Sequence, residues 1–232
     1  MLPSLRKKVV FLFPALNEEE GISHTIEGIP LAELKKEGYE CEVVVIDGQS
    51  KDRTVELARK AGATVIIAPR KGYGFQYIYG LARIKGDFVI TGDADGTYPF
   101  KEARPMLRTL IDGNYDFLTT NRFAKLHTGS MSFMHGVGNR ILTLTGNILF
   151  GLRLKDNQSG MWCFRLDKIR DLGVANEDMA FSEEIKIRAF KRLRSLEVPI
   201  SYSPRIGTSK LNYGHAFRNF FFLFKLRFSL RG

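Results

Sequence analysis

The sequence predicts an α/β fold, a Rossmann-like and mostly parallel sheet flanked by helices. Two patterns carry this prediction. Short runs such as "VVFLF", "VVVID", "TVIIA" and "FVIT" are apolar throughout, the mark of strands buried on both faces. Helical patterns separate them, so each crossover is long enough to return the next strand parallel to the last.

Residues 9–13 form the first strand, and residues 19–29 follow as a helix. "CEVVVIDG" is the second strand. The next helix lies within residues 52–61, carries apolar Val55, Leu57, Ala58 and Ala61, and stops at Gly62. "ATVIIA" is the third strand, "GFQYIYGLARI" a helix and "DFVITG" the fourth strand. Residues 105–111 read as a helix, and "YDFLTTN" as a fifth strand. After Arg122 the rhythm changes. "FAKLHTGSMSFMHG" is a polar loop, "VGNRILTLTGNILFGL" an apolar helix and "FSEEIKIRAFKRL" an amphipathic one. "SLEVPISYSPR" is a late strand, followed by a loop, "IGTSKLNYG", and an aromatic segment, "AFRNFFFLFKLRFSLRG".

The 232 residues suffice for one domain with a substantial core, and 44% of them are hydrophobic. Lys and Arg number 35 against 25 Asp and Glu, a net charge of +10 that favours anionic partners. Cys41 and Cys163 have no metal-type spacing and suit a reducing compartment. "LRKKVVFLFPALNEEE" has too short an apolar run for a signal peptide and meets three glutamates. "NQS" spells a glycosylation sequon that a cytosolic chain would leave unmodified. No segment reaches the ~18 apolar residues of a membrane span. The histidines show no H-x-x-x-H or H-x-H, which argues against a zinc hydrolase, and a P-loop signature is missing.

Polar residues recur where the strands end, the edge at which open α/β sheets bind ligands. They are Asn17 and Glu18, then Asp47, then Arg70, Lys71 and Gly72, then Asp93 and Asp95, then Asn121 and Arg122. An isolated D-x-D is more often a turn. At the end of "FVITG", with acids at analogous ends, Asp93 and Asp95 read as oxygen ligands for Mg²⁺ or Mn²⁺ shared with substrate phosphates. Acids and bases converging there suit a nucleotide and a metal ion.

These motifs also resemble a known family. "FPALNEEEGI", "VVVIDGQSKDRTVELA", "RKGYGFQYIYGLARIKGDFVITGDADGTYPF", "TNRF", "GNRILTLTGNILFGLRLKDNQSGMWCFR" and "EVPISYSPRIGTSKL" follow one another as in family-two glycosyltransferases of GT-A fold. Within that family the chain is most similar to archaeal members of the dolichyl-phosphate hexose (mannose or glucose) synthase group. The resemblance implies that Pro14, Leu16 and Glu18 border the nucleotide of a sugar donor and that Asp47 bonds its base. It makes Lys71, Asp93, Ala94, Asp95, Arg205 and Lys210 donor-binding, with Asp93 and Asp95 on the metal and a further metal contact near Thr97 made through its hydroxyl or through water. Asp93, Asp95 and Arg122 become the catalytic set, and Arg122, His135, Arg140 and Ser209 the acceptor set. Asp156, Gln158, Ser159 and Gly160 match a segment that is largely structural around the acceptor cleft. Residues 1–211 become the GT-A domain, with an interface helix over about 133–152, and residues 212–232 a membrane-associating segment.

The implied reaction is inverting transfer of a hexose from a nucleotide sugar (GDP-mannose or UDP-glucose type) to a polyprenyl (dolichyl) phosphate. It would run at the cytoplasmic membrane face, on an anionic lipid surface, by a peripheral, monotopic enzyme. A phosphate acceptor is already a dianion near neutral pH, its second pKa being ~6, and needs no strong general base. Glu183 or Glu184 would serve as base if the acceptor were a sugar hydroxyl, or would simply complement a helix N-terminus. A non-catalytic nucleotide-sugar-binding or nucleic-acid-binding module is the rival of another class. Nucleic acid is disfavoured because the aromatics concentrate at the C-terminus and the strand-end acids repel phosphate. The aromatic segment, with Arg218 and Lys225 on one helical face and Arg227 opposite, suits either a bilayer interface or a core or dimer helix. Nothing in the sequence fixes the oligomeric state.

Overall fold

A computed structural model describes residues 6–208 and 213–230. These residues form one seven-stranded sheet in the order β3-β2-β1-β4-β6-β5-β7. The strands are β1 (Lys8–Ala15), β2 (Glu40–Asp47), β3 (Thr64–Ile67), β4 (Phe88–Thr91), β5 (Phe117–Leu126), β6 (Trp162–Arg165) and β7 (Ser195–Tyr202). β1 runs parallel to β2 and β4, β2 to β3, and β5 to β7. β6 is antiparallel to both neighbours. Six strands therefore point their carboxyl ends at one edge, and β6 starts there.

The helices are α1 (Ile22–Glu27), α2 (Leu31–Lys36), α3 (Thr54–Lys60), α4 (Tyr73–Leu81), α5 (Ala103–Asp112), α6 (Phe133–Phe150), α7 (Leu166–Arg170), α8 (Phe181–Arg192) and α9 (Tyr213–Ser229). Alternate residues of β1 feed opposite faces. Val9, Phe11 and Phe13 pack towards α1, α2 and α5, whereas Val10 and Leu12 pack towards α4 and α8. Both faces are thus covered, as the unbroken apolar runs require. A third cluster joins α6, α8 and α9 through Leu142, Phe150, Ile187, Leu223 and Leu226.

Four details differ from the sequence reading. The helix expected over residues 19–29 is only α1, because Glu18–Gly21 forms a turn in which Gly21 and Ile22 donate to the Glu18 carbonyl. Pro30 then starts a separate α2. β6 has no counterpart in the sequence reading, since four residues carry no periodicity; it separates β4 from β5 and makes the sheet mixed. β5 continues to Leu126, through what reads as loop, because a register shift after Asn121 lets Lys125 and Leu126 rejoin β7. α6 begins at Phe133, inside the segment that reads as polar loop, because the Ser132 hydroxyl accepts a 3.3 Å hydrogen bond from the His135 N–H. Among the described residues no helix is long and apolar enough to cross a membrane.

Candidate active site

The loops after β1 and β2 are laced together at the carboxyl edge. Asn17 N–H donates to Ser50 Oγ at 2.8 Å, Glu18 N–H to Thr54 Oγ1 at 2.7 Å, and Lys51 N–H to Asn17 Oδ1 at 2.7 Å. Pro14 is buried opposite Ile46, and Leu16 is half-buried just beyond the strand. Asp47 ends β2 fully buried. Its Oδ2 accepts the Ser50 N–H at 2.9 Å, whereas Oδ1 is buried without a hydrogen-bond partner. A buried carboxylate oxygen left unpaired costs free energy unless a donor reaches it.

Asp93 and Asp95 leave β4 into the centre of this edge. Burial, then the neighbouring Asp95, pushes the Asp93 carboxyl up to about 7. It accepts a 3.4 Å hydrogen bond from the Tyr73 hydroxyl. Ala94 is buried in the core beneath. Asp95 Oδ1 accepts from Thr97 N–H at 3.1 Å and Thr97 Oγ1 at 2.6 Å. The Thr97 hydroxyl, expected to reach a metal, is thus directed at Asp95 instead. Asp95 Oδ2 accepts from Arg205 Nη1 at 2.6 Å, while Arg205 Nη2 reaches both Glu18 oxygens at 2.5 and 2.6 Å. The segment carrying Arg205 is pinned by Ser203 N–H to the Thr97 carbonyl at 3.1 Å and Ile206 N–H to the Asp95 carbonyl at 2.9 Å. Lys71 stands exposed between β3 and α4.

On the other flank, β5 delivers Arg122. Its Nε and Nη2 make a two-pronged pair with Asp156 at 2.7 and 2.9 Å, almost wholly buried. Burial opposes ionisation of Asp156, yet Arg122 holds its carboxyl below the usual range. The Tyr202 ring lies 5.3 Å from the guanidinium. Gly160 bridges this flank to Asp93's: its N–H donates to the Tyr98 hydroxyl at 2.6 Å and its carbonyl accepts from Thr91 Oγ1 at 3.0 Å. Arg140 is exposed on α6 with its guanidinium 5.3 Å from the Phe123 ring, beside the strand that carries Arg122. His135 is exposed in the first turn of α6. Ser209 and Lys210 lie outside the described residues.

The sequence reading left two roles open for Glu183 and Glu184. Both lie in the first turn of α8, where an acid complements the helix N-terminus, and both are buried. Glu184 is tied to Arg188 Nε at 2.7 Å and to the N–H groups of Ala175 and Asn176 at 3.2 and 2.8 Å. Glu183 accepts from Gln158 Nε2 at 2.5 Å, and burial pushes its carboxyl up to about 8. Beside them Lys186, whose pKa burial lowers to about 7, donates to the Ser159 carbonyl at 2.7 Å and Ser182 Oγ at 3.2 Å. The sequence does not single out the tyrosines at positions 73, 98 and 202: the first two offer only an aromatic near glycine or the D-x-D, which core packing produces equally, and Tyr202 offers no local signal.

Can this edge hold a divalent cation? Among the described residues no three His, Cys, Asp or Glu side chains converge into a cage. The donor set is nonetheless two hard carboxylates, one of them short of hydrogen bonds. That chemistry fits Mg²⁺ or Mn²⁺ completed by phosphate oxygens and water.

Fold and edge together match a GT-A domain, a mostly parallel α/β sheet flanked by helices, here with a D-x-D at its carboxyl side. Residues 11–173 match the profile of glycosyl transferase family 2, and the chain belongs to that family. The low-salt glycan biosynthesis hexosyltransferase Agl6 of Haloferax volcanii is 38% identical over 203 residues, which are 86% of this chain and 49% of that protein. A dolichyl-phosphate hexose transferase of the same organism is 34% identical over 198 residues, 84% of this chain and 83% of the relative. The chain thus spans about half the length of the first of these relatives and most of the other. Glucosyl-3-phosphoglycerate synthase from Mycobacterium tuberculosis, crystallised with Mn²⁺, UDP and glucosyl-3-phosphoglycerate, superposes with a TM-score of 0.74. At 22% identity, over 95% of this chain and 80% of that one, the likeness is one of fold.

Proposed function

We propose that this chain transfers a hexose from a nucleoside-diphosphate sugar to a polyprenyl phosphate such as dolichyl phosphate, with inversion at the anomeric carbon. The observation that carries this reading is the meeting of Asp93 and Asp95 with Arg122 and Arg205 at one sheet edge. The dolichyl-phosphate hexose transferase relative supports the acceptor class. Mn²⁺ or Mg²⁺ beside UDP in structural neighbours supports a divalent cofactor.

In this reading the unpaired Asp47 Oδ1 takes an N–H of the base; uracil and guanine both offer one, so either nucleotide fits. Glu18, Leu16 and Pro14 border the nucleoside, while Lys71, Arg205 and Lys210 face the diphosphate. Asp93 and Asp95 hold the cation, which when bound spreads the charge of the departing diphosphate. Arg122, oriented by Asp156, and Arg140 with His135 and Ser209 steer the acceptor phosphate into line. That phosphate attacks directly. Glu183, fully buried against Gln158, and Glu184, locked to Arg188 and the loop backbone, are poorly placed to take a substrate proton, which favours a phosphate over a sugar hydroxyl acceptor.

The lipid partner is proposed from surface chemistry. α6 and α9 present Phe133, Ile148, Phe217, Phe221 and Phe228 to solvent, with Arg140 and Lys225 among them. An apolar face with a basic fringe suits the interface of an anionic bilayer and a peripheral enzyme at the cytoplasmic face. Residues 1–211 then serve as the transferase domain and 212–232 as its membrane contact.

The test is direct. Protein incubated with UDP-glucose or GDP-mannose, Mn²⁺ and short-chain dolichyl phosphate should form a hexosyl phospholipid, and EDTA should prevent it. Transfer only to sugar hydroxyls, with none to the phospholipid, would overturn the acceptor assignment.

A further inference from the structure

Lys71 sits on a short segment between β3 and α4 with no regular structure of its own, and what fixes that segment is the backbone of another loop. Phe75 N–H donates to the Glu177 carbonyl at 2.8 Å. Arg70 stacks on the Phe75 ring, 4.0 Å from its centroid, and pairs with Glu177 Oε1 at 2.6 Å. A Cβ on Gly72, whose φ is +135°, would lie 2.9 Å from the Glu177 carbonyl oxygen; one on Gly74 would lie 2.2 Å from that of Asn176. The two glycines of "KGYG" are thus required by the close approach of residues 176–177, a reason independent of any phosphate.

The wall they press against is itself a loop, between α7 and α8, and its anchor is Glu184. This carboxylate is 2% exposed. One oxygen gathers the N–H groups of Ala175 and Asn176, and the other takes Arg188 Nε. Arg188 Nη1 also donates to the Leu172 carbonyl at 3.2 Å, so the base of the same loop is held from its other end. Charge-assisted bonds to two consecutive backbone N–H groups fix a loop more firmly than neutral ones.

We infer that Glu184 is a positioning residue, which sets Lys71 against the donor diphosphate through the backbone of residues 175–177. The chain of contact is continuous: Glu184 carboxylate, Ala175 and Asn176 N–H, Glu177 carbonyl, Phe75 N–H and the Gly72 turn beside Lys71. The inference rests on the proposed donor role of Lys71 and gives Glu184 a task in place of base catalysis.

Three measurements decide it. Without any nucleotide, Glu184→Gln should speed amide hydrogen exchange in the 70–76 peptide while exchange across β1 and β4 stays as in the wild type. Unchanged exchange at 70–76 would overturn the coupling. UDP and GDP, each with Mn²⁺, are then titrated into wild type, Glu184→Gln, Lys71→Ala and the double variant. Glu184→Gln should weaken binding of the nucleotide that wild type takes by about tenfold alone, and less than about twofold once Lys71 is gone. In turnover it should raise the donor KM more than it lowers kcat. Additive losses, or an intact KM with a fallen kcat, would mean that Glu184 only supports the fold. Glu184→Asp keeps the charge on Arg188 but withdraws the carboxylate from the loop, and serves if the Gln form fails to fold. Wild type that bound neither nucleotide would instead overturn the donor reading, with the exchange result still deciding the coupling.

Discussion

Both oxygens of Asp95 are engaged, one by Thr97 and the other by Arg205. Changing Asp95→Asn retains the shape and removes the charge that balances Arg205 and a cation. We expect transfer to fall by at least ~100-fold, the scale of a lost electrostatic contact in a catalytic site. Far-ultraviolet circular dichroism should stay unchanged, and activity surviving in this variant would remove Asp95 from the machinery. Glu183 gives a separate test, in stability. Its folded pKa of about 8 lies above the ordinary carboxylate value of 4.5, so the fold prefers the protonated form. Its contribution is complete below the unfolded pKa and disappears as pH rises through the folded one. Lys186, lowered to about 7, acts in the opposite sense at higher pH. Glu183→Gln should therefore lose less thermal stability than the wild type between pH 5 and 8. Parallel melting curves for the two proteins over that window would contradict the buried, protonated carboxyl.

At the scale of elements, the pair of Arg122 on β5 with Asp156 before β6 separates two arginines that the sequence treats alike. Arg122→Ala leaves a buried carboxylate unpaired and should destabilise the protein by about 3–5 kcal/mol. Arg140→Ala, exposed on α6, should leave the melting temperature within a degree or two and still weaken use of the lipid phosphate. Calorimetry of both variants beside acceptor kinetics checks this; an equal loss of stability would show that Arg140 is also structural. The helix α9 has two faces. Leu223 and Leu226 pack against α6 and α8, while Phe217, Phe221 and Phe228 point outward. Deleting the helix would therefore damage the core as well as the surface. Point changes are cleaner. Phe217→Ser with Phe228→Ser should reduce flotation on anionic vesicles without altering nucleotide binding. For the unaltered protein, 1 M salt, where the Debye length is ~3 Å, should weaken flotation but not abolish it. Equal flotation of the two forms would mean that these rings meet protein instead of lipid.

For the whole molecule, the sequence alone determined the α/β class, six of the seven strands, the edge where polar residues gather and the family. It could do so because those features are local: unbroken apolar runs report burial on both faces, and glycines and acids at their ends report turns at one edge. It did not reveal β6, whose four residues become a strand only because β4 and β5 stand ready on either side. Nor did it reveal the partners. Arg205 meets Asp95 and Glu18 from 110 and 187 residues away, Arg122 finds Asp156 across 34, and Glu184 reaches the Lys71 segment through a second loop. The order in which strands assemble decides such pairings, since it brings distant loops to a common edge. A charge in a sequence announces that it needs a partner or water; only the packed sheet decides which partner lies within 3 Å.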